Sequence, residues 1–214
     1  MANLSPVLIE WGIAARAIPC QQESGDLHLV RSGQDEALVA VADGLGHGAA
    51  AANAAAAAMR TLEMCDGESP IVMIQRCHET LRSTRGVVMS MAWFQGKDDT
   101  MTWLGVGNVE GFLLHRDARG MSANEALLLR GGVIGGCLPR LSASVVQVGY
   151  GDVLILATDG IRPEFADNVN LEDSPQQIAN RILFQYGRDT DDALVLVVRY
   201  LHGKGSATAR QIRG

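Results

Sequence analysis

Short apolar runs separated by turn-forming residues recur along most of the chain, the pattern of many short strands. Such runs cover residues 7–14, 27–30, 37–42, 87–94, 101–105, 109–115, 126–129, 144–148, 153–157 and 193–200. The polar stretch Gln95-Gly96-Lys97-Asp98-Asp99 between two of them reads as a hairpin turn, and Arg116-Asp117-Ala118-Arg119-Gly120 as a similar break. Three segments carry helical signals instead. Residues 49–64 are rich in alanine, the best helix former, whose small side chain lets a helix approach a sheet closely. Residues 70–85 follow Ser69 as N-cap, with Pro70 at the first helical position and Ile74, His78 and Leu81 on one face. Residues 175–186 open on a capping box of Ser174 and Gln177, and Gly187 is placed to end them. Strand and helix do not alternate in a βαβαβ rhythm. An α+β architecture of antiparallel sheets packed with helices is expected, not a doubly wound parallel sheet.

A chain of 214 residues can bury a sizeable core as one domain, expected here over residues 1–201, with the polar, aperiodic residues 202–214 as a flexible tail. The net charge of −6 and the absence of a long basic run argue against nucleic acid as a partner. The longest apolar stretch, residues 49–59, contains Asn53 and is too short to span a bilayer. Residues 1–6 lack the features of a secretion signal, so no membrane association and a cytoplasmic location are expected. Cys20, Cys65, Cys77 and Cys137 form no C-x-x-C pair and read as reduced, mostly buried thiols.

Chemistry enters where strands meet aspartates. The run 37–42 leads into Asp43-Gly44, the run 153–157 into Thr158-Asp159-Gly160, and Asp191-Asp192 leads into the run 193–200. Two acids sit at strand C-terminal ends and the third pair at a strand start. If the last strand lies antiparallel to the others, all three acids reach one rim of the sheet. Bare like charges would be costly there, and a divalent cation with oxygen ligands offsets the repulsion. Two such ions can activate a water for in-line attack on phosphorus. Glycine after Asp43 and Asp159 allows a sharp turn, and the Gly44 carbonyl can serve as a ligand. The plain alternative is that each Asp-Gly pair is only a turn.

These segments resemble the signature of the metal-dependent PPM-type serine/threonine phosphatases, in the SpoIIE-like bacterial branch that serves sporulation and stress responses. Val41-Ala42-Asp43-Gly44-Leu45-Gly46-His47-Gly48 and the small-residue helix after it carry the main likeness. Ser24-Gly25-Asp26, Gly105-Val106-Gly107-Asn108-Val109, Ala157-Thr158-Asp159-Gly160 and Thr190-Asp191-Asp192-Ala193 match further motifs in order. The resemblance implies an antiparallel β-sandwich flanked by α-helices on both faces and a centre of two Mn2+ or Mg2+ ions. It implies that Asp43 bridges both ions, the Gly44 carbonyl binds one, Asp159 and Asp191 bind the other, and Asp26 acts mainly through water. A metal-held water would be the nucleophile. The short format, with no room for an additional sensor domain, is similar to RsbX-like feedback phosphatases of the stressosome. The implied substrates are phosphoserine or phosphothreonine on STAS-domain stressosome or anti-anti-sigma proteins. Leu194 departs from a threonine often found two residues after the second terminal Asp. No Arg stands at the early motif; Arg16 and Arg162 are candidates to hold phosphate, or ordinary surface arginines.

The remaining residues have plainer readings. His47 is either a general acid for the leaving alkoxide or a structural residue of a glycine-rich turn. His28 and His78 read as surface or core residues. Trp93 and Trp103 are expected to pair across a hairpin in the core. The pairs Gly131-Gly132 and Gly135-Gly136 mark a loop that either meets a partner or merely connects strands.

Overall fold

The computed structural model describes residues 7–19, 23–116 and 124–202. The N-terminal residues 1–6, Cys20, the break at 117–120 and the proposed tail from 203 onward lie outside the described residues. One sheet contains β1 (Ile9–Arg16), β6 (Glu110–Leu114), β7 (Asn124–Ala126), β10 (Val153–Ala157) and β11 (Ala193–Tyr200), in the order β1-β11-β10-β6-β7. The other contains β2 (Asp26–Ser32), β3 (Glu36–Gly44), β4 (Val87–Gln95), β5 (Thr100–Val106) and β8 (Leu129–Arg130) in sequence order, with β9 (Ser144–Gln147) also paired to β5. The pairings are antiparallel except for the short β5–β8 contact, which is parallel. The helices are α1 (Ala49–Met64), α2 (Pro70–Leu81) and α3 (Pro175–Tyr186).

Strict alternation along the strands builds three apolar layers, because successive side chains point to opposite faces. On β11, Leu194, Leu196, Val198 and Tyr200 enter the core between the sheets, while Ala193, Val195 and Val197 face α3. On β3, Ala37, Val39 and Val41 face the other sheet, while Leu38, Ala40 and Ala42 pack under α1 and α2. The result is helix, sheet, sheet, helix, the sandwich expected from the sequence. Alanines at 51, 54, 55 and 58 give α1 a smooth buried face against its sheet.

Several boundaries differ from expectation. The run 126–129 divides into β7 and β8, which belong to different sheets. Helix α2 ends at Leu81, because Thr84 caps the turn that follows by bonding the Leu81 carbonyl through both its N–H and its hydroxyl. A 3-10 turn at Pro163–Asn168 has no counterpart in the reading of the sequence. The capping box of α3 forms, but Gly187 is extended, with φ −65°, so no left-handed cap is used. Trp93 and Trp103 do not pair: Trp93 lies opposite Thr102 and Trp103 opposite Ala92, which sends the indoles to opposite faces. Trp103 fills the core between the sheets and Trp93 packs on the α1–α2 side. The glycine-rich loop is pinned: Ile134 bridges Val87, and Gly135 N–H donates to His78 Nδ1 at 3.0 Å. No helix among the described residues is long and apolar enough to cross a membrane.

Layer and cap make separable contributions. Leu196→Ala should cost about 2–5 kcal/mol through the cavity it leaves between the sheets. Ser174→Ala should cost about 1 kcal/mol by uncapping α3. Denaturant titration of the two variants checks both magnitudes.

Candidate active site

The site lies where the two sheets present their ends to each other. Asp26 opens β2 and Asp43 is the last residue but one of β3, and the register sets them directly opposite. From the other sheet, Asp159 follows β10 and Asp191 precedes β11, its antiparallel neighbour. The acids therefore share one end of the sandwich but come from two sheets, not from one rim of a single sheet. Asp43, Asp159 and Asp191 line a common cleft of about 670 Å³ together with Ile18, His47 and Asn108. Asp26 does not line it; its side chain is buried beside Asp43. Gly44 is buried, and a Cβ there would collide with the backbone of Ala51 as α1 passes over the strand end. Gly160 is bare for the same reason, with the Asp192 carbonyl in the space a side chain would need.

A set of hydrogen bonds holds these acids in place. Thr158 donates its hydroxyl to Asp26 Oδ2 at 2.7 Å and accepts the Leu194 N–H at 2.9 Å, so it crosses from one sheet to the other. Asn108, in the connection between β5 and β6, donates to Asp159 Oδ2 at 2.7 Å. Asp192 is turned away from the cleft: its carboxylate accepts the Ile18 N–H at 2.7 Å and the Gly25 N–H at 2.6 Å. This separates Asp191, which faces the cleft, from its buried neighbour. The sequence showed the motifs that contain Asn108 and Thr158 but not what the two side chains hold. Only the fold reveals their partners, which are distant in the chain.

The electrostatics are those of crowded acids. Burial, reinforced first by Asp43, raises the Asp26 carboxyl to about 8 despite the Thr158 hydrogen bond. Burial, then the charges of Asp159 and Asp191, raise Asp43 to about 7. Asp159 is raised by burial and by Asp191, while Asn108 and Arg188 pull it down. Among the described residues no three His, Cys, Asp or Glu side chains close by themselves around a point where an ion would sit. A backbone carbonyl or water must complete any shell. An all-oxygen, mutually repelling donor set around an open cleft fits a hard divalent cation that keeps part of its hydration, as Mg2+ and Mn2+ do.

Neither arginine singled out as a phosphate holder reaches the cleft. Arg16 pairs with Asp189 at 2.9 Å and donates to the Arg188 carbonyl at 2.9 Å. Arg162 donates to the Gln185 carbonyl at 2.6 Å and lies over the Tyr186 ring.

Comparison with known proteins agrees with this geometry. Residues 33–201 match the family model for stage II sporulation protein E, SpoIIE. The chain is similar to the phosphoserine phosphatase RsbX of Bacillus subtilis (strain 168), with 27% identity over 169 residues, covering 78% of this chain and 83% of RsbX. Its fold superposes on a chain from a structural study of the bacterial stressosome with a TM-score of 0.81 and 29% identity, covering 89% of this chain and 99% of that one. It superposes equally well, at 0.81, on RsbX in complex with magnesium, with 22% identity and 91% and 98% of the two chains covered. With the family model spanning most of its length and the fold of its members, this chain belongs to the SpoIIE family of PP2C-type serine/threonine protein phosphatases.

Proposed function

We propose that this protein is a cytoplasmic, Mg2+- or Mn2+-dependent phosphatase that removes phosphate from serine or threonine on STAS-domain proteins, as negative feedback in a stressosome-type partner switch. The observation that carries the reading is the meeting of Asp43, Asp159 and Asp191 on one cleft from opposite sheets. The likeness to RsbX, a phosphoserine phosphatase, and to a chain from the stressosome supports the choice of substrate.

Asp43, Asp159, Asp191 and the Gly44 carbonyl would hold two ions, with Asp26 behind Asp43. When bound, such ions supply Lewis acidity toward phosphoryl oxygens and toward an attacking water. The chain's own residues do the remaining work. Asn108 fixes the rotamer of Asp159 by its 2.7 Å hydrogen bond, and Thr158 fixes Asp26 in the same way. Ile18, Leu45, Val88 and Val133 give the acidic cleft apolar walls that limit water around the phosphate ester. His47 lines the cleft and can hand a proton to the departing serine or threonine oxygen.

Side-by-side assay of phosphorylated STAS-domain proteins from stressosome and sporulation switches tests the substrate assignment. Inactivity of the metal-loaded protein toward every one of them would sink it. Asp43→Asn and Asp159→Asn should each lose at least about a hundredfold in kcat/KM, since loss of a ligand exceeds the cost of losing a residue that orients one. Asn108→Ala should lose about 10- to 100-fold and weaken metal affinity, measured by calorimetry.

Proton linkage gives an independent check. Asp26 and Asp43 titrate at about 8 and about 7 in the folded chain, against an ordinary value of 3.8. The folded state holds more protons between these values, so this contribution to stability is complete below 3.8 and is lost as pH rises through the folded values. The chelated protein should therefore lose thermal stability between about pH 5 and about pH 8, and Mg2+ or Mn2+ should restore it at the upper end. Thermal unfolding in chelator across that range decides; a rise in Tm with pH would contradict the crowded-acid picture.

A further inference from the structure

A phosphatase cleft needs a cation for the phosphoryl group, and the two arginines first considered for that task are engaged elsewhere. Another arginine stands in the right place. Arg85 lies beyond the end of α2, in the turn that leads into β4. The carbonyl of the next residue, Gly86, accepts the Leu45 N–H at 3.1 Å, which ties this turn to the loop after Asp43. The Arg85 guanidinium lies on the backbone of Gly46: its Nη1 is 2.5 Å from where a Cβ of that glycine would be. Gly46 has φ +90° and is itself part of the cleft wall, beside Asp43, Leu45 and His47. Any side chain at 46 would displace the guanidinium from the rim.

The arginine is also uncommitted. Arg85 is exposed and makes no ion pair or side-chain hydrogen bond among the described residues. Arg82 pairs with Glu79, whereas Arg188, also exposed, lies on the Asp159 side of the site and lowers that carboxyl without an ion pair. A planar guanidinium beside Gly46, at the edge of a cleft with a carboxylate floor, suits a phosphate ester, whose peripheral oxygens accept paired N–H donors.

We infer that Arg85 grips the non-reacting phosphoryl oxygens of the substrate at the mouth of the cleft and so positions the ester over the carboxylates. The inference rests on the phosphatase reading and adds the phosphate-binding residue that the early motif lacks. Because Arg85 contacts the phosphoryl group in the bound substrate as well as during reaction, its loss should appear mainly in KM.

The experiment compares the wild type with Arg85→Ala, Arg85→Lys and the charge-matched control Arg82→Ala, all loaded with Mn2+. Binding of inorganic phosphate is read by calorimetry, and hydrolysis of p-nitrophenyl phosphate by steady-state kinetics. Arg85→Ala should weaken phosphate binding about tenfold and raise KM to a similar degree, with kcat changed less than about twofold. Arg85→Lys should recover part of the affinity, and Arg82→Ala should match the wild type. Equal phosphate affinity in wild type and Arg85→Ala, absence of binding to both included, overturns the assignment, as does an equal loss in Arg82→Ala. Absence of turnover by the wild type would count against the phosphatase reading alone, because calorimetric affinity reads Arg85 without catalysis.

Discussion

The constraint on which the structure turns is the crowding of acids at the junction of two sheets. Asp26 and Asp43 from one sheet, and Asp159 and Asp191 from the other, repel one another, and burial sharpens the repulsion. Left to themselves, these strand ends would splay. What opposes this is a short series of bonds across the seam. Gly25 donates its N–H to Asp192 and accepts the Gly44 N–H through its carbonyl, so one residue joins the start of β11 to the end of β3. Thr158 joins Asp26 to the backbone of Leu194. Hydrogen bonds to charged groups are worth about 1.5–3 kcal/mol each, enough to hold a partly protonated cluster together. A divalent cation would remove the repulsion that these bonds oppose.

Much of the fold was legible because the sequence patterns are local. The strands at Val153–Ala157 and Ala193–Tyr200 and the helices at Ala49–Met64 and Pro175–Tyr186 have the expected bounds, since alternation, alanine content and a capping box act within a few residues. The failures came from longer-range effects. Residues 126–129 read as one strand, yet their two halves pair with β6 and β5 in different sheets. The tryptophans looked like partners until the register of β4 against β5 placed them on opposite faces.

The site was legible to the level of its acids and no further. Strand ends marked Asp43, Asp159 and Asp191, and all three line the cleft. The choice of Asp191 over Asp192 drew on the family likeness, and the geometry supplies a physical reason for it. Adjacent side chains in an extended segment point in opposite directions. Of the two consecutive acids just before β11, Asp191 faces the cleft and Asp192 the seam. The seam-facing acid meets two backbone N–H groups that would otherwise be buried without partners. The pair therefore divides into one side chain that lines the cleft and one that ties the seam.

The cationic side of the site was hidden by a boundary. Extending α2 to residue 85 places Arg85 on a helix, where an exposed arginine calls for no explanation. The helix instead stops at Leu81, and the following turn carries Arg85 to the backbone of Gly46, in the loop after Asp43. Four residues of helix end thus separate an ordinary surface charge from one poised over a carboxylate cleft. The Gly86 carbonyl of the same turn accepts the Leu45 N–H, so one backbone hydrogen bond ties the turn that carries Arg85 to the loop after Asp43. A site that must hold both a cluster of carboxylates and an anionic ester needs positive charge at a fixed distance from the acids. With Arg85 seated against Gly46, that charge stands at the edge of the acids' cleft without an ion pair to Asp43.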